Sequence, residues 1–312
     1  MNFQQLRIIQ ETVRQDFNLT EVANVLHTSQ PGVSKHIKDL EDELGIEIFL
    51  RRGKRLLGLT EPGKELVPVV QRILLDTQNL RNIADHFASR ETGHFVIATT
   101  HTQARYALPR IIQWFKLDYP EVHLSLLQGS PQEIADLLLQ GQADVGIATE
   151  TINKIPGLVS IPVYDWHHAL IVPHGHPLLQ VQEAGTPITL EMLGEYPIIT
   201  YHDGFTGRRH LDETFAAAGI VPDIVLSAID ADVIKTYIKL GLGVGIVASV
   251  AYDPEQDQQL TMIPVPTLFP SNTTCLAVRQ GSYLRSYVHA FIEKVCPDRG
   301  EEAIRLLGGG MG

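Results

Sequence analysis

A chain of 312 residues, 44% hydrophobic and 20% charged, has the balance of an ordinary folded protein and length for two or three domains. No apolar run approaches the roughly 18–20 residues of a membrane span. The opening stretch MNFQQLRIIQETVRQ carries charges instead of an apolar leader core, so no membrane partner and a cytoplasmic location are expected.

The net charge of −11 argues against binding a polyanion only until it is divided. Residues 1–90 hold 12 basic and 12 acidic side chains, and the whole acidic excess lies beyond them. Binding to a polyanion depends on local clustering more than on the total.

After the amphipathic helix of residues 1–15, Leu19, Val22, Ala23 and Leu26 fall on one helical face. His27, Thr28 and Ser29 make a turn, with Thr28 or Ser29 available to cap the next helix. Pro31 occupies that helix's first turn, where its missing N–H costs nothing. Val33, Ile37, Leu40 and Leu44 are its expected buried face, and Gly45 ends it. The exposed side offers Thr28, Ser29, Gln30, Pro31, Ser34, Lys35 and Lys38 to base edges and phosphates. A short hairpin follows, with Arg51, Arg52, Lys54 and Arg55 around Gly53 at its tip. A plain three-helix core with a solvated basic loop is the competing account. The continuation into a basic hairpin and a long helix favours a winged helix-turn-helix over residues 1–60, with double-stranded DNA as partner.

Thr60 can cap a helix running over 61–89. Leu66, Val70, Ile73, Thr77, Leu80, Ala84 and Phe87 alternate spacings of four and three, a heptad-like seam that predicts a homodimer. Pro68 falls early enough to bend this helix without ending it. The polar stretch SRETG, residues 89–93, reads as a hinge.

From residue 93 to 295 strands and helices alternate. The order is strand 94–100, helix 103–116, strand 122–127, helix 131–140 and strand 143–149, which predicts a parallel sheet. A second set begins near 158–173 and continues with strand 197–201, helix 207–218, strand 223–228, helix 231–240 and strand 243–248. Strand 273–279 and helix 284–295 return to the first set. The expected architecture is a two-lobed α/β domain with a central cleft, like a periplasmic solute-binding protein. Lobe 1 spans about 93–163 and 266–295, and lobe 2 about 164–265. Residues 296–312 form a C-terminal tail whose end, LLGGGMG, is expected to fray.

Strand-to-helix junctions present free N–H groups to small anions. Thr99 to Gln103 packs three hydroxyls, an amide and an imidazole into such a junction, and Thr149 ends the adjacent strand. In the second lobe His202, Thr206 and Arg208 stand at the corresponding place. Helix capping alone would explain any one junction. Several around one cleft favour a small anionic effector.

Cofactors and metals are not expected. His167, His168, His174 and His176 lack a carboxylate or cysteine in ligand spacing, and Cys275 and Cys296 read as buried thiols. GLGVGI leaves a helix and enters a strand, the reverse of a dinucleotide fingerprint, and no catalytic motif appears, so no enzyme activity is expected.

Several runs also carry a family likeness. The series Ala23, Leu26, Ser29-Gln30-Pro31, Ser34, Ile37, Leu40-Glu41, Leu44-Gly45, Phe49, Arg51, Arg52, Leu59-Thr60 and Gly63 resembles the N-terminal signature of LysR-type transcriptional regulators. ATTHTQARYALP, QGSPQEIA, GFTGR, DADVIKTY and GLGVGI resemble the effector domain of the CysB/Cbl-type regulators of sulfur assimilation. That resemblance implies a homodimer or homotetramer working with promoter DNA and RNA polymerase. It implies a small sulfur-related effector such as sulfate, adenosine phosphosulfate or an acetylated serine. Thr100, Thr102, Gln103 and Thr149 would be its ligands, with His202 and Thr206 from the second lobe. His202 departs from the family, which tends to carry Thr or Arg there, so a LysR-type regulator of another pathway sensing a different anion is the alternative.

Overall fold

A computed structural model describes residues 1–53, 55–88, 92–297 and 300–308, without the side chains of 85–87, 206 and 301. The chain forms two compact units, Met1–Phe87 and Ala88–Gly312.

In the first unit, helices α1 (Phe3–Arg14), α2 (Leu19–Val25) and α3 (Gln30–Leu44) precede the hairpin β1 (Phe49–Arg52) and β2 (Arg55–Leu59), then the long α4 (Glu61–Phe87). Ile8, Ile9, Val22, Val33, Ile37, Leu40 and Phe49 are fully buried in one core. Ser29 Oγ caps α3 by accepting from Gly32 N at 3.2 Å, and Gly45 closes it at φ 69°, a left-handed conformation that favours glycine. Leu44, expected inside, is 40% exposed because α3 ends one residue later, past the core. The seam of α4 divides. Val67 and Val70 are buried on the unit's own core with Leu66 and Ile73 packed beside them, whereas Leu80 is 69% exposed.

The second unit holds two five-stranded sheets. One runs β4 (Val122–Gln128), β3 (Gly93–Thr99), β5 (Val145–Thr149), β12 (Asn272–Arg279) and β6 (Leu158–Trp166). The first three strands are parallel, and β12 is antiparallel to both of its neighbours. The other sheet runs β11 (Leu260–Pro264), β7 (His168–Pro173), β10 (Val244–Ala248), β8 (Ile198–Tyr201) and β9 (Ile224–Ala228). Helices α5 (Pro109–Asp118) and α6 (Pro131–Leu139) accompany the first sheet, and α9 (Thr206–Ala217) and α10 (Ala231–Lys239) the second, with the short α7 (Pro177–Glu183) and α8 (Leu190–Gly194) between β7 and β8. The chain passes between sheets twice, at residue 167 and over 265–271. These crossings join the two sheets, and the cleft lies between them.

Three expectations change. The single helix over 103–116 is interrupted, because Pro109 begins α5 after a wide π-type turn over Gln103–Ala107. The sheet of the first lobe is mixed, because the returning β12 runs against the crossover strands. The tail is no frayed end through residue 308. After α11 (Ser286–Val295), α12 (Gly300–Gly308) sinks Ala303 and Leu307, one helical turn apart, into the first-lobe core.

Candidate DNA-binding surface and effector cleft

In the first unit, Thr28, Ser29, Gln30, Pro31, Lys35 and Lys38 are exposed along the start and outer face of α3, with Ser34 half-buried. Gln30 Nε2 donates to Ser34 Oγ at 3.1 Å, which holds the amide over the first turn. Arg52 and Arg55 are exposed in the hairpin, facing each other across the two strands. Lys54 lies outside the described residues. Arg51 is committed elsewhere. Its Nη2 donates to Glu41 Oε2 at 2.7 Å, while Glu41 Oε1 accepts from Ile48 N at 2.8 Å and Phe49 N at 3.2 Å. One buried carboxylate therefore ties α3 to the root of the wing, and Arg51 serves that tie.

The cleft of the second unit lies where strands of both sheets end. From the first lobe come Thr100, Thr102, Gln103 and Thr149, with Pro131 at the start of α6. From the second come Tyr201, Phe205, Gly207 and Ala248, and Trp166 stands at the crossing. Thr100, Gln103 and Thr149 are at least nine-tenths buried. The backbone turns helical directly after Thr100, whose carbonyl accepts from Ala104 N at 3.1 Å, so the helix start opens beside these hydroxyls. The free space is about 30 Å³, room for a water but not for an organic ligand.

Gln103 and Thr102 are among the groups already engaged. Gln103 Nε2 donates to Thr274 Oγ1 at 3.0 Å, and its Oε1 accepts from the Tyr164 hydroxyl at 2.5 Å. That amide shapes the wall and holds its neighbours. The Thr102 hydroxyl meets the Tyr201 hydroxyl across the cleft. Tyr201 also accepts from Ala248 N at 3.1 Å, and its burial raises its pKa.

A second set of contacts joins the lobes at the cleft's edge. The Tyr106 hydroxyl donates to Asp232 Oδ1 at 2.7 Å and accepts from Lys235 Nζ at 2.9 Å. Lys235 Nζ also reaches Asp257 Oδ2 at 2.8 Å and the Ala251 carbonyl at 2.9 Å, with both charged partners almost fully buried. Arg105 donates to Gln256 Oε1 at 2.6 Å. Burial, then the hydrogen bond to Asp232, pushes the Tyr106 pKa up. The Asp232 carboxyl is raised by burial, but Tyr106 and Lys235 outweigh this and lower it.

A model described as the bacterial regulatory helix-turn-helix of the lysR family matches residues 3–64, and the LysR substrate binding domain matches residues 88–295. The chain belongs to the LysR family. The transcriptional regulator SsuR of Burkholderia cenocepacia is 56% identical over 307 residues, 98% of each chain. The regulator cbl of Escherichia coli K12 is 54% identical over 293 residues, 94% of this chain and 92% of that one. The crystal structure of the cofactor-binding domain of the Cbl transcriptional regulator superposes with a TM-score of 0.64 at 46% identity, covering 69% of this chain and 94% of that one. Within the family this LysR regulator groups with the CysB/Cbl-like regulators of sulfur assimilation.

Not every residue singled out in the sequence reaches the cleft of this LysR regulator. His202 is exposed and does not line it. Its ring Nδ1 meets the Asp203 carbonyl at 2.8 Å. Successive side chains of an extended chain point to opposite faces, and Tyr201 takes the inward place. The Thr206 side chain is outside the described part. Arg208 is turned onto Asp212, Asp203 and the Tyr201 carbonyl. Trp166 and Tyr201, absent from the sequence-level candidates, are the larger cleft residues. An aromatic at the end of an apolar strand looks like core until the second lobe is placed opposite it. Both cysteines are buried, and burial pushes the thiol of Cys296 up to about 11 and raises that of Cys275. Among the described residues no helix is long and apolar enough to cross a membrane.

Proposed function

We propose that this regulator reads a dyad-like promoter site with α3 and its basic wing, and that a small sulfur-related anion in the cleft controls it. Sulfate, adenosine phosphosulfate and an acetylated serine are the candidate effectors. The observation that carries this reading is the convergence of Thr100, Thr102 and Thr149 on one buried spot beside a helix start. An oxyanion needs many donors and no proton acceptor, and hydroxyls with helix N–H groups supply that. The anion would draw the lobes together and bias the placement of paired subunits on DNA. Leu80, exposed in the second half of α4, suits a homodimer seam. Assembly to a homotetramer and contact with RNA polymerase belong to the same reading.

Calorimetry on the full chain tests it, with sulfate, adenosine phosphosulfate and an acetylated serine titrated separately. At least one should bind, and Thr100→Val should weaken it by roughly 1–3 kcal/mol, the cost of a lost buried partner. DNA affinity without effector should not change. An unaltered affinity in Thr100→Val would remove the threonine group from the site.

A further inference from the structure

Beside the threonine group, the crossings are lined with buried polar atoms that find no hydrogen-bond partner among the described side chains. They are Trp166 Nε1, the ring nitrogens of His168, which approach only the Gly207 backbone, His210 Nδ1, and the amide oxygen and nitrogen of Asn272. His168 is 1% exposed and Asn272 0%. Native interiors keep few such groups, because leaving one unpaired is costly. Here they gather in one place.

Asn272 stands directly opposite Trp166 in the β6–β12 ladder. The rings of Trp166 and His168 lie 5.4 Å apart, centre to centre. His210 Nε2 is 3.8 Å from Glu150 Oε1, and Glu150 Oε2 accepts from Thr273 N, the residue after Asn272. The group opens to the cleft through Trp166 and Gly207, which both line it. A side chain at Gly207 would close that opening, since its Cβ would stand 3.0 Å from His168 Nε2 and 3.2 Å from Trp166.

The chemistry of this wall differs from that of the threonine group. Trp166 only donates, while Asn272 both donates and accepts. Burial, reinforced by His210 and opposed by the Gly207 backbone, pushes His168 down to about 4, so at neutral pH its ring carries one N–H and one accepting nitrogen. A bare sulfate, which only accepts, leaves the accepting atoms unmatched. A hydroxyl, amide or amino group matches both kinds.

We propose that Trp166, His168, His210 and Asn272 form a second subsite of the cleft, which takes the donor-and-acceptor end of an effector whose oxyanion sits at Thr100, Thr102 and Thr149. This rests on the anion reading given above. Its consequence is selectivity: the wall favours an oxyanion carried on a polar organic group over free sulfate.

The test uses the full chain and three probes, sulfate, N-acetylserine and adenosine phosphosulfate, with the tighter of the two organic anions taken for comparison. The variants are His168→Phe and Asn272→Leu, which remove the polar atoms and keep roughly the shape of each side chain. Each should weaken the organic anion by about tenfold or more and leave sulfate within about threefold, the loss expected for unmatched buried polar contacts. The thermal midpoint of the unliganded protein should hold or rise, since an unpaired polar group is replaced by an apolar one. Equal weakening of both ligands, no change in either, or a clear fall in thermal midpoint in both variants would overturn the subsite. A wild-type protein that binds sulfate but neither organic anion would overturn the subsite and leave the anion site standing. One that binds none of the three would remove both.

Discussion

Replacing Glu41 with Gln isolates the tie between the recognition helix and the wing. The carboxylate is 8% exposed and accepts from Ile48 N, Phe49 N and Arg51 Nη2. Gln keeps one oxygen, which can serve either the two amides or the guanidinium. Its NH2 then faces a donor on the other side. Each charge-assisted bond contributes about 1.5–3 kcal/mol, and one side of the arrangement is lost while its partner stays partly buried. We expect Glu41→Gln to destabilise the DNA-binding unit by about 2–4 kcal/mol, and Glu41→Ala by at least as much. Denaturant unfolding of the full chain, followed by a probe in the first unit, measures this. Arg51→Met should cost less, since the two amides keep their acceptor, and the double variant should cost less than the sum of the singles. A loss under about 0.5 kcal/mol for Glu41→Gln, the range of an ordinary surface change, would refute the reasoning.

Because Arg51 is held by Glu41 and Arg52 is exposed, Arg52→Ala should lower the salt dependence of DNA binding by about one phosphate contact, while Arg51→Ala should leave that slope almost unchanged; equal slopes for the two would contradict the division. His168 gives a pH dependence. Its folded pKa is depressed to about 4 from 6.5, so the unfolded chain takes up a proton that the folded chain refuses. Stability is therefore full above pH 6.5 and falls by up to roughly 3 kcal/mol toward pH 4. Unfolding midpoints at pH 7 and 5 should differ less in His168→Phe than in the wild type, and an identical pH profile would exclude the assignment. Tyr106→Phe removes the hydroxyl between Asp232 and Lys235 and should cost about 1–2 kcal/mol in the effector unit, with faster effector release; unchanged release would show that this contact does not hold the lobes.

The local chemistry of the chain was legible in its order of residues. Apolar spacing located α2 and α3, Ser29 and Gly45 fixed the ends of the recognition helix, and basic clustering marked the wing. These are signals within a few residues, where helix geometry and capping act. The grouping of the threonines at 100, 102 and 149 was legible for the same reason, since each stands at or just after the end of a strand. What tertiary structure decided involves partners distant in sequence. Arg51 looked like its basic neighbours until Glu41 met it ten residues away. Gln103 looked like a free donor until Thr274 and Tyr164 took both ends of its amide. His202 lost its place in the cleft to Tyr201 through the alternation of one strand, because the register of the second sheet chose which of the two faced inward. Leu307 read as a loose end, yet α12 found apolar surface on the first lobe. The wall at the crossings needed most of all, since Trp166, His168, His210 and Asn272 come from three places in the chain, and only the two crossings between the lobes bring them together.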